Sequence, residues 1–301
     1  VDIITMELLS LSFKRISKAF FILLFCFSLS FSPAFAQEAK KGNEFDKLSQ
    51  RLIQDGFDSE KINALFASKQ VFFTPSGVSS FFIHSESSLN YDQFLASKPI
   101  AKARGYMETH KESLDLAEKT YGVDKTVITA ILLVETQLGG YLGKRTVINT
   151  LSTMAALSDD DLKERIWKSI PNKKKPKREK FEKKAKKRSQ WSYQELKALI
   201  KYTDREGLVP ESIKGSYAGA MGISQFMPSN ALTLAKDGDN DGRVDLFNHS
   251  DAISSVANYL KHHGWKPGIP RQRQHEVLFR YNHSNYYVDT LLKVSDKLKE
   301  G

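Results

Sequence analysis

Between Asp124 and Gly140 the chain carries Val127, Ile128, Ile131, Leu132, Val134 and Leu138. Steps of three and four place these residues in one wide apolar stripe on a helix. Asp124 suits the N-cap, and Gly139-Gly140 suits the stop. A stripe this wide has to be covered by other elements, so it predicts a buried helix inside a mainly helical fold. Glu135 lies four residues after Ile131 and seven after Ile128, so it sits on the stripe and not on the solvent face. A carboxyl group among aliphatic side chains is desolvated, which favours its protonated form near neutrality. That is what a general acid needs. The same position also suits a glutamate held by a structural hydrogen-bond partner.

Helical spacing recurs over Phe45–Ser68, Leu89–Gly122, Thr146–Leu157, Trp191–Glu206, Ala252–His263 and Glu276–Leu298. Phe72–Phe82 is richer in aromatic and β-branched residues and predicts a short extended piece, with Pro75-Ser-Gly77 as a turn. No internal repeat is visible. A chain of 301 residues, 41% hydrophobic, can bury one large core or two closely packed lobes.

The first 36 residues stand apart. Lys14, Arg15 and Lys18 precede an apolar run from Ala19 to Phe31, followed by Pro33 and the small-x-small triplet Ala34-Phe35-Ala36. This is the order of a secretory signal peptide cleaved after Ala36. The run is too short and too serine-interrupted for a membrane span of about 20 residues. Cys26 is the one cysteine, and Phe25 precedes it where a lipoprotein signal wants a small residue. Cleavage leaves a chain without disulfides, thiolate metal sites or a cysteine nucleophile.

The net charge of +10 is concentrated. Eleven Lys/Arg between Lys173 and Arg188 face only Glu179 and Glu182, and the rest of the chain is nearly neutral. A solvated, mobile loop is the expectation here, with attraction to anionic wall or membrane groups as a secondary role. Nucleic acid is not expected, since Phe181 is the one aromatic in the run and the export signal argues against it. The seven histidines form no H-x-x-x-H pair, and no phosphate-binding loop is present.

Three further segments carry chemistry. Lys214–Ser229 is rich in glycine and small residues, with Ser216, Ser224 and Gln225 as hydrogen-bonding groups and Tyr217 and Phe226 as flat faces. Such a mixture suits a sugar, and it equally suits close helix packing. Asp237-Gly-Asp-Asn-Asp-Gly-Arg-Val-Asp245 places aspartates at positions 1, 3, 5 and 9 and glycine at position 6 of an EF-hand-like loop. Arg243 would give its main-chain carbonyl. Position 12 is Asn248, and Asp251 is the nearest acid able to close the site. Tyr281-Asn282-His283-Ser284-Asn285-Tyr286-Tyr287 is polar and aromatic within a helical stretch, which suits a cleft wall.

Together these motifs resemble the lytic murein transglycosylase B family. The resemblance rests on Val134-Glu-Thr-Gln-Leu-Gly139, Gly215-Ser-Tyr-Ala-Gly-Ala-Met-Gly222, Gln225-Phe-Met-Pro-Ser229, the aspartate loop, Asp251–Trp265 and Tyr281-Asn-x-Ser, in order over about two thirds of the chain. It implies a mainly α fold with minimal sheet. Residues 89–301 would form a lysozyme-like catalytic core, with a lysine-rich insert at 172–188 and a calcium-binding loop at 237–251. Residues 37–88 would form a helical N-terminal lobe. It implies Glu135 as acid/base, with Ser216, Gln225, Tyr259, Tyr281, Asn282 and Tyr287 contacting glycan or holding Glu135. Asp237, Asp239, Asp241, Arg243 and Asp251 would hold a structural calcium ion, and no organic cofactor is implied. The implied protein is a periplasmic monomer acting on peptidoglycan glycan strands. The implied reaction breaks the MurNAc–GlcNAc β-1,4 bond and leaves a 1,6-anhydro-MurNAc end. A hydrolytic muramidase and a catalytically silent wall-binding protein remain as alternatives. Two departures stand out: the lysine-rich insert is long for the family, and Asp239 and Asp245 make the loop more acidic.

Overall fold

The buried helix predicted around Glu135 is α6, Lys125–Thr136. Its Thr, Val and Ile residues are modest helix formers, so packing is what stabilises it. Nine of its twelve residues are buried, on all faces and not on a single stripe. Truncating one such aliphatic side chain to Ala typically costs about 2–5 kcal/mol. Asp124 occupies the N-cap position but makes no capping bond through its side chain. Glu118 takes that role, its Oε1 accepting the Lys125 N–H at 2.9 Å.

The computed structural model describes residues 43–83 and 90–300. Residues 1–36, read above as a signal peptide, lie outside the described residues. Residues 42–301 cluster as one compact unit. Around α6 lie α4 (Ser97–Thr109), α5 (Lys111–Tyr121), α11 (His249–His262) and α13 (Asn285–Lys299). A second group is built on α9 (Arg178–Glu206), against which α7 (Val147–Ala155) and α10 (Pro228–Leu234) pack. The N-terminal helices α1 (Asp46–Gln54) and α2 (Ser59–Ala67) bring Phe45, Leu52 and Phe66 into the same hydrophobic cluster as Leu298. Among the described residues the only sheet is a strand pair, β1 (Arg145–Thr146) antiparallel to β2 (Lys214–Gly215), with Arg145 opposite Gly215.

Three expectations need correcting. Residues 75–83 form a helix, α3, not an extended piece: Pro75 takes its first position, where a missing N–H costs nothing, and Val78 and Phe82 are buried four residues apart. The lysine-rich run is largely not a loop. From Arg178 onward it forms the first turns of α9, anchored by buried Phe181 and Ala185 and by Arg188, which stacks 3.6 Å from the Phe81 ring centre and 4.1 Å from that of Trp191. Burial pulls the Arg188 guanidinium down to about 10. The expected helix over Glu276–Leu298 is two, α12 (Arg271–Tyr281) and α13, because Ser284 caps α13 by accepting the Tyr287 N–H.

Candidate active site

Glu135 is on the last turn of α6, half-buried, where the packed helix reaches the wall of a cavity of about 660 Å³. The helix then ends in three consecutive left-handed residues, Gln137 (φ 53°), Leu138 (φ 63°) and Gly139 (φ 82°). Thr136 ties that end to the glycine-rich segment: its Oγ1 donates to the Ile223 carbonyl at 2.9 Å and accepts from the Gly139 N–H at 3.0 Å. The carboxyl group is oriented from far along the chain. Tyr287 on α13 donates its phenolic proton to Glu135 Oε1 at 2.6 Å. A donor of this kind favours the ionised carboxyl, so it opposes the burial expected to keep the group protonated. Burial, and then the charge of Glu135, hold the Tyr287 and Tyr281 phenols well above their ordinary range. Both therefore stay protonated donors across the physiological range.

The segment after β2 forms another part of the wall. Gly215 is enclosed so tightly that a side-chain Cβ would overlap the Ala220 carbonyl oxygen and come within 2.6 Å of Val147 Cγ2. The turn that follows is held by Ser216, whose Oγ accepts the amides of Ala218 and Ala220 at 3.2 and 3.1 Å. Gln225 adopts a left-handed backbone (φ 51°), and its side-chain amide donates to the Gly222 carbonyl at 2.9 Å.

The structure thus brings Glu135, Ser216, Gln225, Asn282 and Tyr287 to one cavity. Tyr259 and Tyr281 stand behind it and do not line it. Tyr281 donates to the Ser224 carbonyl at 2.5 Å, Tyr259 donates to the Arg280 carbonyl at 2.8 Å, and both pack on Phe226. They brace the glycine-rich wall.

In the aspartate loop the ligand atoms of Asp237, Asp239 and Asp251 lie within 4.8 Å of one another. Asp237 accepts the amides of Asn240 and Gly242, which folds the loop around it. Asp251 is 1% exposed, and its two oxygens accept the amides of Gly238 and Asp245. Burial lifts its carboxyl to about 6, with like-charge repulsion from Asp239 and Asp237 adding to the effect. Three converging carboxylates make a hard-oxygen donor set that fits a divalent cation. Asp241 stands outside the trio, accepting the Arg243 amide at 2.8 Å, and Asn248 at position 12 donates to Asp239 at 2.7 Å.

Residues 40–274 match the family model described as the transglycosylase SLT domain, more than half of the chain. The chain belongs to that family. Among curated relatives, the SLT-domain chain is 30% identical over 176 residues to the membrane-bound lytic murein transglycosylase B of Escherichia coli (strain K12). That match covers 58% of this chain and 41% of the relative, so the chain spans less than half of that protein's length. Among solved structures, the soluble lytic transglycosylase SltB1 of Pseudomonas aeruginosa superposes with a TM-score of 0.69 at 24% identity, covering 84% of this chain and 97% of that one. The E. coli lytic transglycosylase Slt35, solved in complex with calcium, gives a TM-score of 0.68 at 21% identity, covering 86% and 94%. The SLT-domain chain has the lysozyme-like fold of these lytic transglycosylases.

Sequence reasoning missed part of the cavity wall. Tyr91 and Phe94, from the short 3-10 turn Tyr91–Leu95, and Tyr141 and Lys144, from the loop after α6, all line it. Tyr217 also lines it; the sequence marked it as a flat face but not as a site residue. An exposed aromatic residue in a loop is a readable signal, and Tyr141 at 56% exposure is one.

Proposed function

We propose that this SLT-domain chain is a peptidoglycan lytic transglycosylase, exported by its N-terminal signal, cleaved after Ala36 and active in the periplasm. Among the described residues no helix is long and apolar enough to cross a membrane. The observation that carries the activity is Glu135: among the described residues it is the one acid on the cavity wall, and Tyr287 orients it. A hydrolytic glycosidase ordinarily uses two carboxyl groups. One acid/base suffices if the substrate supplies the nucleophile.

In that scheme Glu135 gives its proton to the glycosidic oxygen as the bond from the MurNAc C1 breaks. The acetamido oxygen of the same sugar stabilises the positive charge at C1. The ionised Glu135 then takes the proton of the C6 hydroxyl, O6 bonds to C1, and the 1,6-anhydro end forms. Ser216, Gln225 and Asn282 would hold the strand, and Tyr287 would keep the carboxyl aimed through both proton transfers. Mass spectrometry of digested sacculi tests this: anhydro ends are expected, and reducing ends would make the protein a hydrolytic muramidase.

Asp237, Asp239 and Asp251 would hold a structural calcium ion, with Asp241 and the Arg243 carbonyl completing the set. Bound at 100 times its dissociation constant, an ion contributes about 2.7 kcal/mol to stability. That corresponds to a Tm about 5 °C or more above that in chelator. Equal Tm values would reduce the loop to an acidic turn.

The lysine-rich run would contact anionic envelope groups. Deleting it would remove Phe181 and the start of α9, so the clean test changes charge alone. Replacing exposed Lys180, Lys183 and Lys187 with Gln should weaken sacculus binding at low salt more than it slows turnover. Equal losses in both would contradict this role.

A further inference from the structure

We infer that Thr136 is a positioning residue that sets the gap between Glu135 and the glycine-rich wall of the cavity. This inference rests on the transglycosylase reading above for the reaction it serves. Thr136 is the last residue of α6, directly after the acid, and is 1% exposed. It does not line the catalytic cavity, so it acts through its neighbours.

Its hydroxyl has one proton to give and two carbonyls in range. A helical threonine commonly turns back to the carbonyl four residues earlier. Here that carbonyl, of Leu132, is 3.4 Å away, and the Ile223 carbonyl in the glycine-rich segment is 2.9 Å away. The proton therefore goes across to the wall. The same oxygen accepts the Gly139 N–H at 3.0 Å, which closes the left-handed run Gln137-Leu138-Gly139. Gln137 and Leu138 are strained in that region, and such backbone persists only where its surroundings hold it. Lys102 adds to the hold by donating to the Gln137 carbonyl at 2.7 Å.

The Ile223 carbonyl is the middle one of three, each with a donor. On one side the Gly222 carbonyl accepts Gln225 Nε2 at 2.9 Å, and on the other the Ser224 carbonyl accepts Tyr281 at 2.5 Å. Thr136 supplies the link that runs to the acid's own helix. Its main-chain carbonyl accepts the Tyr141 N–H at 2.9 Å, and Tyr141 lines the cavity. One buried residue thus joins the acid to the wall that carries Gln225 and to Tyr141. A single carboxyl that first gives and then takes a proton needs the sugar held at one distance through both steps. A wrong gap still permits binding, but it spoils proton transfer.

Thr136→Val keeps the branched shape and removes the hydroxyl, leaving the Ile223 carbonyl and the Gly139 N–H without this partner. On soluble glycan strands, with every variant assayed well below its Tm, kcat should fall about ten- to a hundredfold while KM stays within about twofold. Thr136→Ser keeps the hydroxyl and should restore most of kcat. Ile62→Ala is the control for lost stability alone. Ile62 is 2% exposed in α2 and lines no part of the catalytic cavity, so Tm should fall and kcat should not. Wild-type kcat in Thr136→Val, a loss carried by KM alone, a Ser variant no better than Val, or an equal loss of kcat in Ile62→Ala would each overturn the inference. Reducing ends from the wild-type chain, with the Val-specific loss of kcat intact, would overturn the transglycosylase reading and leave Thr136 in its role. A wild-type chain that cleaves no strand would overturn both.

Discussion

Glu135→Gln should abolish lysis of sacculi while leaving sacculus binding in place. Gln has the shape of Glu and can still accept the Tyr287 phenol at the position of Oε1. It can neither give nor take a proton at the reacting oxygen. Positioned acid–base catalysis contributes about 10²–10⁴-fold. Here one group serves both as acid and as base, so a loss at the upper end of that range is expected. Binding draws on the rest of the cavity lining, which the substitution leaves in place. Lysis at the wild-type rate would remove Glu135 from the mechanism, and loss of binding together with lysis would mark it as a structural acid.

The second large effect is expected at Gly215. A methyl group there meets two neighbours that cannot swing away, the Ala220 carbonyl and Val147 at the start of α7. Gly215→Ala must therefore push β2 off β1 or open the turn that Ser216 holds. Overpacking of this kind costs about 1–3 kcal/mol, which lowers Tm by several degrees in a chain of this size. Activity should fall with it, because that turn is a wall of the catalytic cavity. Gly105→Ala is the matched control. Gly105 lies within α4 with nothing within 4 Å of an added Cβ, so the change should be neutral or raise stability by up to about 1 kcal/mol. Equal Tm values for Gly215→Ala and wild type would mean that the close fit around Gly215 is unimportant.

The helix that carries Glu135, α6, was readable because its apolar spacing is regular and Gly139-Gly140 follow its end. What stayed hidden depended on contacts between distant segments. Lysines dominated the reading of 173–188, yet Phe181, Ala185 and Ser189 recur at four-residue steps and bury one face of α9. Pro75 suggested a turn, although proline is equally at home in the first turn of a helix. Tyr259 and Tyr281 have the composition of sugar-binding residues, but their hydroxyls go to backbone carbonyls behind the wall. No local pattern separates a tyrosine that touches substrate from one that braces a loop. Tyr91, Phe94 and Tyr141 join the cavity only once α4, α6 and α13 have packed together.

The bond between Tyr287 and Glu135 joins residues 152 positions apart. The acid is placed by a helix in the middle of the chain and aimed by one near its far end. A chain still being synthesised has the carboxyl group long before it has the phenol. Proteolytic loss of α13 would leave the same half-built pair. If cutting needs the aimed carboxyl, as the proposed transglycosylase reading requires, incomplete chains lack the means to cut and the finished fold acts as the licence.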